Sequence, residues 1–282
     1  MKKAVLITGA CINTGVAIVE KFLENGRPVL FTGRREEAVK DAEARYRAHF
    51  PEADVTGFAI DSHDASGALN EAGVVSLFSL LDKADVLVDT LVLNAADQGL
   101  GMTVLDSPLS DFTRVMETNV TWNLALCVQG ARRMRDAGVT GSITFINSNT
   151  AYRAIPDRTA YVASKGAQLG LVRSLALDLG KYGIRVNAVL PGMIRTDRWE
   201  KNPDFYKSVP SRFTPLGDVA DGCDVADAVW YFAARAPKKS KAPDPIRIGG
   251  DFICRNARRG RRRGLYIAQR EERRSRDARS RG

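Results

Sequence analysis

Along this chain, short apolar runs alternate with longer stretches in which apolar residues recur at helical spacing. The runs are Ala4–Ile7, Val29–Thr32, Val55–Ile60, Thr90–Leu93, Ile143–Ile146, Val186–Leu190 and Ile246–Ile248, and each reads as a strand. A helical pattern runs from Val16 to Asn25 and is stopped by Gly26. Two long helices are predicted over Asp111–Ala137 and Arg158–Lys181, the second carrying Leu169, Val172, Leu175 and Leu177. This alternation predicts an α/β fold of Rossmann-like type: one doubly wound parallel sheet with helices on both faces. In such sheets ligands bind at the carboxyl ends of the strands.

Length and composition fit that reading. A chain of 282 residues with 44% hydrophobic content can bury one large core in a single domain. No apolar run reaches the roughly eighteen residues of a membrane span, and no charged-then-apolar leader is present. A soluble, cytoplasmic protein is expected. Cys11, Cys127, Cys223 and Cys254 form no CxxC pair, so free thiols in a reducing compartment are expected. The two histidines, His49 and His63, read as a surface-helix and a loop residue, from which no Ser-His-Asp set or metal site is expected.

The charge divides the chain unevenly. Twelve arginines against Glu271, Glu272 and Asp277 give residues 255–282 a net charge of +9, which equals that of the whole chain. Residues 1–254 therefore balance thirty basic against thirty acidic side chains. We divide the chain accordingly into a catalytic domain, 1–254, and an Arg-rich C-terminal extension, 255–282. The extension has too few apolar residues to offset its ordering entropy.

Candidate chemistry sits at the strand ends. After the first strand, Thr8-Gly9-Ala10-Cys11-Ile12-Asn13-Thr14-Gly15 leads into a helix, an arrangement that cradles the phosphates of a dinucleotide. Gly9 would make the tight turn and Gly15 would let the helix pack closely on the sheet. Further on, Tyr161 and Lys165 stand four residues apart and project from one helix face. An ammonium beside a phenol favours the phenolate, so Lys165 is expected to lower the Tyr161 pKa and create an acid/base for alcohols and carbonyls. Ser148 lies upstream at a strand tip.

With Leu93-Asn94-Ala95-Ala96, Asn119 and Pro191-Gly192-Met193-Ile194-Arg195-Thr196 in the same order, residues 1 to 251 closely resemble the short-chain dehydrogenase/reductase family. The likeness is to single-domain members of the 3-oxoacyl-carrier-protein reductase and carbonyl reductase kind. The resemblance implies that Tyr161 is the general acid/base and that Lys165 also bonds the nicotinamide ribose. Ser148 would bond the substrate oxygen, and the Asn119 main chain would hold a water linking Lys165 to solvent. It also implies cofactor contacts from Thr8, Gly9, Asn13, Thr14 and Gly15. Further contacts would come from Asp61 and Ser62 at the adenine, Asn94, Ala95 and Ala96 near the ribose, and Pro191, Gly192, Ile194 and Thr196 toward the nicotinamide. Asn13 departs from the pattern, which has glycine there.

Cofactor preference is read from Gly33-Arg34-Arg35 at the end of the second strand. An NAD site places a carboxylate where Gly33 stands, whereas guanidinium groups bind a ribose 2′-phosphate bidentately. NADP(H) is expected, with NAD(H) as the alternative; no metal is implied. Gln98, Asn149, Tyr152 and Trp199 would line the substrate site, with a lid over Arg195–Phe213 containing Arg198, Tyr206, Lys207, Arg212 and Phe213. That mixture admits a polar or acidic carbonyl compound or an acyl chain on a phosphate-bearing carrier. The reaction predicted is hydride transfer between NADP(H) and a carbonyl or secondary alcohol. An NAD-dependent alcohol or polyol dehydrogenase is the alternative within the family. Outside it stand a non-catalytic dinucleotide sensor and a polyanion or nucleic-acid binder acting through the tail. A homotetramer or dimer is expected, assembled through the two long helices.

Overall fold

The computed structural model describes residues 1–197 and 218–234, together with the backbone of Ile246–Ile248. Trp199 and the expected lid from Arg198 to Phe213, Cys254 and the extension 255–282 lie outside the described residues. The apolar runs pair into one parallel sheet. In chain order its strands are β1 (Lys2–Ile7), β2 (Val29–Gly33), β3 (Val55–Ala59), β4 (Val86–Leu93), β5 (Ser142–Ile146), β6 (Arg185–Pro191) and β7 (Ile246–Ile248). Side by side they run β3-β2-β1-β4-β5-β6-β7. The chain winds outward in one direction from β1 and then in the other from β4, so the crossovers on either side of β1 leave a crevice at its carboxyl end.

Seven helices are described: α1 (Asn13–Glu24), α2 (Glu36–His49), α3 (Glu71–Lys83), α4 (Leu109–Met116), α5 (Trp122–Asp136), α6 (Thr159–Gly180) and α7 (Gly222–Ala234). Alternation along the strands sends side chains to two cores. Leu6, Leu91, Phe145 and Leu190 meet Phe78 of α3, Leu126 of α5 and Val172 of α6 on one face. Val5, Ile7, Phe31 and Val189 meet Phe22 of α1, Tyr46 of α2 and Val229 of α7 on the other. Each such large side chain, fully buried, contributes about 1.5–3 kcal/mol relative to exposure. Among the described residues no helix is long and apolar enough to cross a membrane.

Two elements differ from expectation. β4 begins at Val86 rather than Thr90. Its start is masked in the sequence by Asp89, whose carboxylate is bound by Arg27 at 2.5 Å. The helix predicted over Asp111–Ala137 is broken by a π-helical turn, Glu117–Thr121, between α4 and α5. The wider turn carries Asn119 into the interior, where it is fully buried. There the Asn123 side-chain amide donates to the Asn119 carbonyl at 2.8 Å.

Candidate active site

The turn after β1 is built from steric necessity. Gly9 has φ +65°, and a Cβ there would lie 2.8 Å from the Ala95 Cα. A Cβ on Gly15 would lie 2.4 Å from the Gly9 carbonyl oxygen, so only glycine lets α1 start this close to the turn. Asn94 staples the turn to the end of β4, its Nδ2 donating to the Thr8 and Gly9 carbonyls at 3.1 and 2.8 Å. The Thr8 hydroxyl accepts from the Asn94 and Ala95 amides, both at 3.0 Å. Ala96 follows, exposed. Asn13 adopts φ +52°, the left-handed conformation that glycine would take there, which asparagine tolerates. Its Oδ1 accepts from the Asp197 amide at 3.3 Å. At the start of α1, beside Thr14, no side chain caps the helix and no acid lies in the first turn. The turn therefore presents uncapped N–H groups and a positive dipole end, a donor set that fits a pyrophosphate.

Beyond β2 the geometry selects against an acid. A Cβ on Gly33 would lie 2.3 Å from the Cys11 Sγ and 2.8 Å from the Val39 Cγ2, so a carboxylate there requires both side chains to move. Arg34 and Arg35 are exposed. Arg45, which was not singled out from the sequence, reaches over from α2 and donates to the Cys11 carbonyl at 3.2 Å. Burial pushes the Cys11 thiol up, against the opposing charges of Arg45 and Arg35.

On the adenine side, Asp61 is half-buried and Ser62 is buried. His63 is not the solvated residue the sequence suggests. Its Nε2 lies 3.0 Å from Glu117 Oε2 and its Nδ1 3.1 Å from the Ser62 hydroxyl. The Ser62 hydroxyl is shared with Thr118 at 3.0 Å. Buried and shared in this way, it makes Ser62-His63-Glu117 a strut between the end of β3 and the π-helical turn, not an exposed nucleophile. Sequence adjacency hid it, because the third member lies more than fifty residues away. His49, by contrast, is exposed at the end of α2.

The four residues expected to carry the chemistry converge at the ends of β4 and β5. Ser148, just past β5, is buried, and its hydroxyl accepts from the Thr150 amide at 3.2 Å. Lys165 lies one turn beyond Tyr161 on α6, with Nζ 5.5 Å from the centroid of the tyrosine ring. The amine is buried and donates to the Ile146 carbonyl at 2.9 Å and to Gln168 Oε1 at 3.2 Å. Asn119 is held by both its ends: Oδ1 accepts from the Asp97 amide at 2.8 Å, and Nδ2 donates to the Asp97 carbonyl at 2.8 Å and the Ser164 hydroxyl at 2.9 Å.

One expectation about this cluster is corrected. The sequence gives Lys165 the task of lowering the Tyr161 pKa. Instead burial raises the phenol, opposed by its hydrogen bond to Ser148 and the charge of Arg158. Burial also lowers Lys165 to about 7. Desolvation disfavours the charged form of both groups. The Asn119 carbonyl, where the resemblance implies a water, has two side-chain partners. It accepts Gln168 Nε2 at 2.6 Å and Asn123 Nδ2 at 2.8 Å, one for each lone pair. Gln168 was missed because a polar residue among the other polar positions of α6 reads as a surface position; it is fully buried.

The remaining residues frame a cleft. Asn149 opens a short 3₁₀ turn closed by Tyr152, which is exposed. Gln98 is exposed on the loop after β4, and its carbonyl accepts from Arg158 at 2.8 Å, tying that loop to the start of α6. Trp199 lies outside the described residues. Pro191 ends β6 and Gly192 follows it. Ile194 pairs with Ala220 in an isolated parallel bridge, and the Arg195 amide donates to the Ala220 carbonyl at 2.8 Å, which places Thr196 beside the start of α7.

Comparison with known proteins agrees with this arrangement. A family model described as enoyl-(acyl carrier protein) reductase matches residues 9–239. The chain is 35% identical over 235 residues to glucose 1-dehydrogenase of Gluconobacter oxydans (strain 621H), covering 82% of this chain and 85% of the relative. It is 30% identical over 251 residues to the NADP-dependent (R)-specific alcohol dehydrogenase of Lentilactobacillus kefiri, covering 88% and 96%. Among solved structures, an NAD⁺-bound xylitol dehydrogenase superposes with a TM-score of 0.74 at 26% identity, covering 88% of this chain and 98% of the other. The sheet order, the glycine-dependent turn and the clustered serine, tyrosine and lysine have the same origin as these matches: the chain belongs to the short-chain dehydrogenase/reductase family, nicotinamide-dependent oxidoreductases of alcohol and carbonyl groups.

Proposed function

We propose that the protein reduces a carbonyl compound with NADPH, or runs the reverse oxidation of a secondary alcohol, with Tyr161 as general acid/base. The observation that carries this reading is the convergence of Tyr161 with the buried Ser148 and Lys165, the amine 5.5 Å from the Tyr161 ring centroid, at the strand ends that flank the phosphate-cradling turn. When bound, the nicotinamide supplies or accepts the hydride. The protein's part is then to handle one proton and one developing charge. The Ser148 hydroxyl takes the Thr150 N–H on one lone pair, which leaves its own proton for a substrate oxygen. Tyr161 gives its proton to that oxygen in reduction and takes it back in oxidation. A phenol raised by burial stays protonated at neutral pH, which suits the donor role.

For the cofactor, the reading is a preference for NADP(H). The lack of a carboxylate at Gly33 and the exposed Arg34 and Arg35 support it. Titration of the protein with NADPH and NADH tests this, and Arg34→Ala should weaken NADPH by about 1.5–3 kcal/mol while leaving NADH nearly unchanged. Tighter binding of NADH by the wild type would refute the preference.

For the substrate, Leu100, Val104 and Leu105 on the loop after β4 and Tyr152 and Ile155 on the segment after β5 are exposed. The adjoining Gly99 has its Cβ position 3.9 Å from Tyr161 Cβ, so this loop borders the reacting phenol. We read the substrate as a carbonyl with an apolar substituent in preference to an acidic one. Assembly into a tetramer or dimer through α5 and α6 completes the reading. Leu124 and Val128 are half-buried one turn apart and Leu177 is 77% exposed, surfaces a second copy would cover. Light scattering should return a mass of two or four chains; a single-chain mass would reject assembly.

A further inference from the structure

Gln168 has no role in the reading above. It is buried without exposure in the interior between α6 and the π-helical turn, and both ends of its amide are engaged. Nε2 donates to the Asn119 carbonyl at 2.6 Å, while Oε1 accepts from Lys165 Nζ at 3.2 Å and from Asn147 Nδ2 at 3.1 Å. Asn147 in turn donates to the Lys165 carbonyl at 2.9 Å. We propose that Gln168 is a positioning residue for Lys165, its side-chain amide making the bond to the Asn119 carbonyl that a solvent molecule would otherwise have to make. The proposal rests on the reading that Lys165 assists Tyr161.

Two consequences follow from the chemistry of the amide. A carboxamide oxygen is a fixed acceptor for the ammonium, so it favours the charged form of Lys165 in a place where burial opposes it. A carboxamide also does not release a proton as water does. The Asn119 carbonyl therefore meets an amide that cannot pass a proton on from Lys165. The charged and titratable groups around Lys165 are few. On its own helix stand Tyr161 and, one turn earlier, Arg158. From β5 and its extension come only the Ile146 carbonyl and the neutral side chains of Asn147 and Ser148. From the Asn119 side come the carboxylates of Asp97, paired with Arg114, and Glu117, in contact with His63. Gln168 is thus the one side-chain acceptor that the described residues give the amine.

The test is the pH profile of kcat for carbonyl reduction in three variants. Gln168→Met keeps the volume but removes the acceptor, and should lower kcat about tenfold with the alkaline limb moved to lower pH. Gln168→Glu places a carboxylate against the amine and should move the same limb to higher pH. Gln168→Ala opens space for water between the Asn119 carbonyl and Lys165, and should recover activity relative to Gln168→Met. Profiles that coincide with the wild type in both the Met and Glu variants, whatever their melting temperatures, overturn the proposal and leave Gln168 as packing. Should Gln168→Met fail to fold, the Gln168→Glu profile decides alone: an alkaline limb moved to higher pH than the wild type's supports the proposal, and a coincident limb overturns it. Lys165→Met serves as the control: if it keeps turnover, the underlying reading of Lys165 falls and this one with it, whereas its loss alongside unaltered Gln168 variants rejects this proposal alone.

Discussion

Tyr161→Phe should remove turnover while leaving cofactor affinity nearly intact. The ring remains to fill its place against the loop at Gly99, and the groups that would hold the cofactor, the turn at Gly9–Gly15 and the arginines after β2, do not touch the hydroxyl. What is lost is the proton that meets the substrate oxygen as charge develops there, and a positioned acid/base is worth about 10²–10⁴ in kcat. The Ser148 hydroxyl stays and can still bond that oxygen, so some residual activity should survive. Steady-state turnover combined with a fluorescence titration of cofactor separates the two effects. Retention of more than about a tenth of kcat would take Tyr161 out of the role, since that is far outside the range for losing a general acid.

Lys165→Met should cost turnover on a similar scale and also change how stability depends on pH. Burial holds the folded-state pKa of this amine at about 7, below its ordinary value. Above pH 7 the unfolded chain therefore binds a proton that the folded chain has released, and stability rises with pH until the unfolded lysine itself titrates. Between pH 7 and about 8.5 the gain from this one group is on the order of 1–2 kcal/mol. The comparison stops there because burial also raises the Cys127 thiol, which lowers stability once unfolded cysteine ionises. Denaturant unfolding at several pH values should show a rise in the wild type that is absent in Lys165→Met. Parallel pH dependences in the two proteins would mean that the amine is not desolvated.

The sheet and its crevice were legible because each strand run is apolar and each motif falls at a strand end. The glycines were legible for a steric reason: Gly9 and Gly15 leave no room for a side chain, and a sequence shows such positions directly. Asn13 departed from the family pattern, yet kept the left-handed backbone, since asparagine is among the few residues that tolerate it. What escaped the sequence depends on who meets whom across the fold. The π-helical turn, the His63–Glu117 pair and the Arg45 contact to the Cys11 carbonyl join residues far apart in the chain. The pKa directions escaped for a related reason. The i,i+4 spacing of Tyr161 and Lys165 gives proximity but says nothing of burial, and desolvation prevails over mutual attraction here. Gln168 needed both kinds of knowledge, its depth in the interior and the carbonyl waiting on the neighbouring helix.

The central claim is direct hydride transfer between NADPH and a carbonyl carbon on this chain. It is tested most directly by supplying NADPH deuterated on the transferable position of the nicotinamide, with a panel running from apolar ketones to keto acids. The products are then read by mass spectrometry and NMR. The account predicts deuterium on the carbinol carbon of the apolar members, consumption of cofactor in equal amount, and both slowed about 10²–10⁴-fold in Tyr161→Phe. Tight NADPH binding by the intact protein with no label in any alcohol across that panel, and no label returned to NADP⁺ from the corresponding deuterated alcohols, would contradict it.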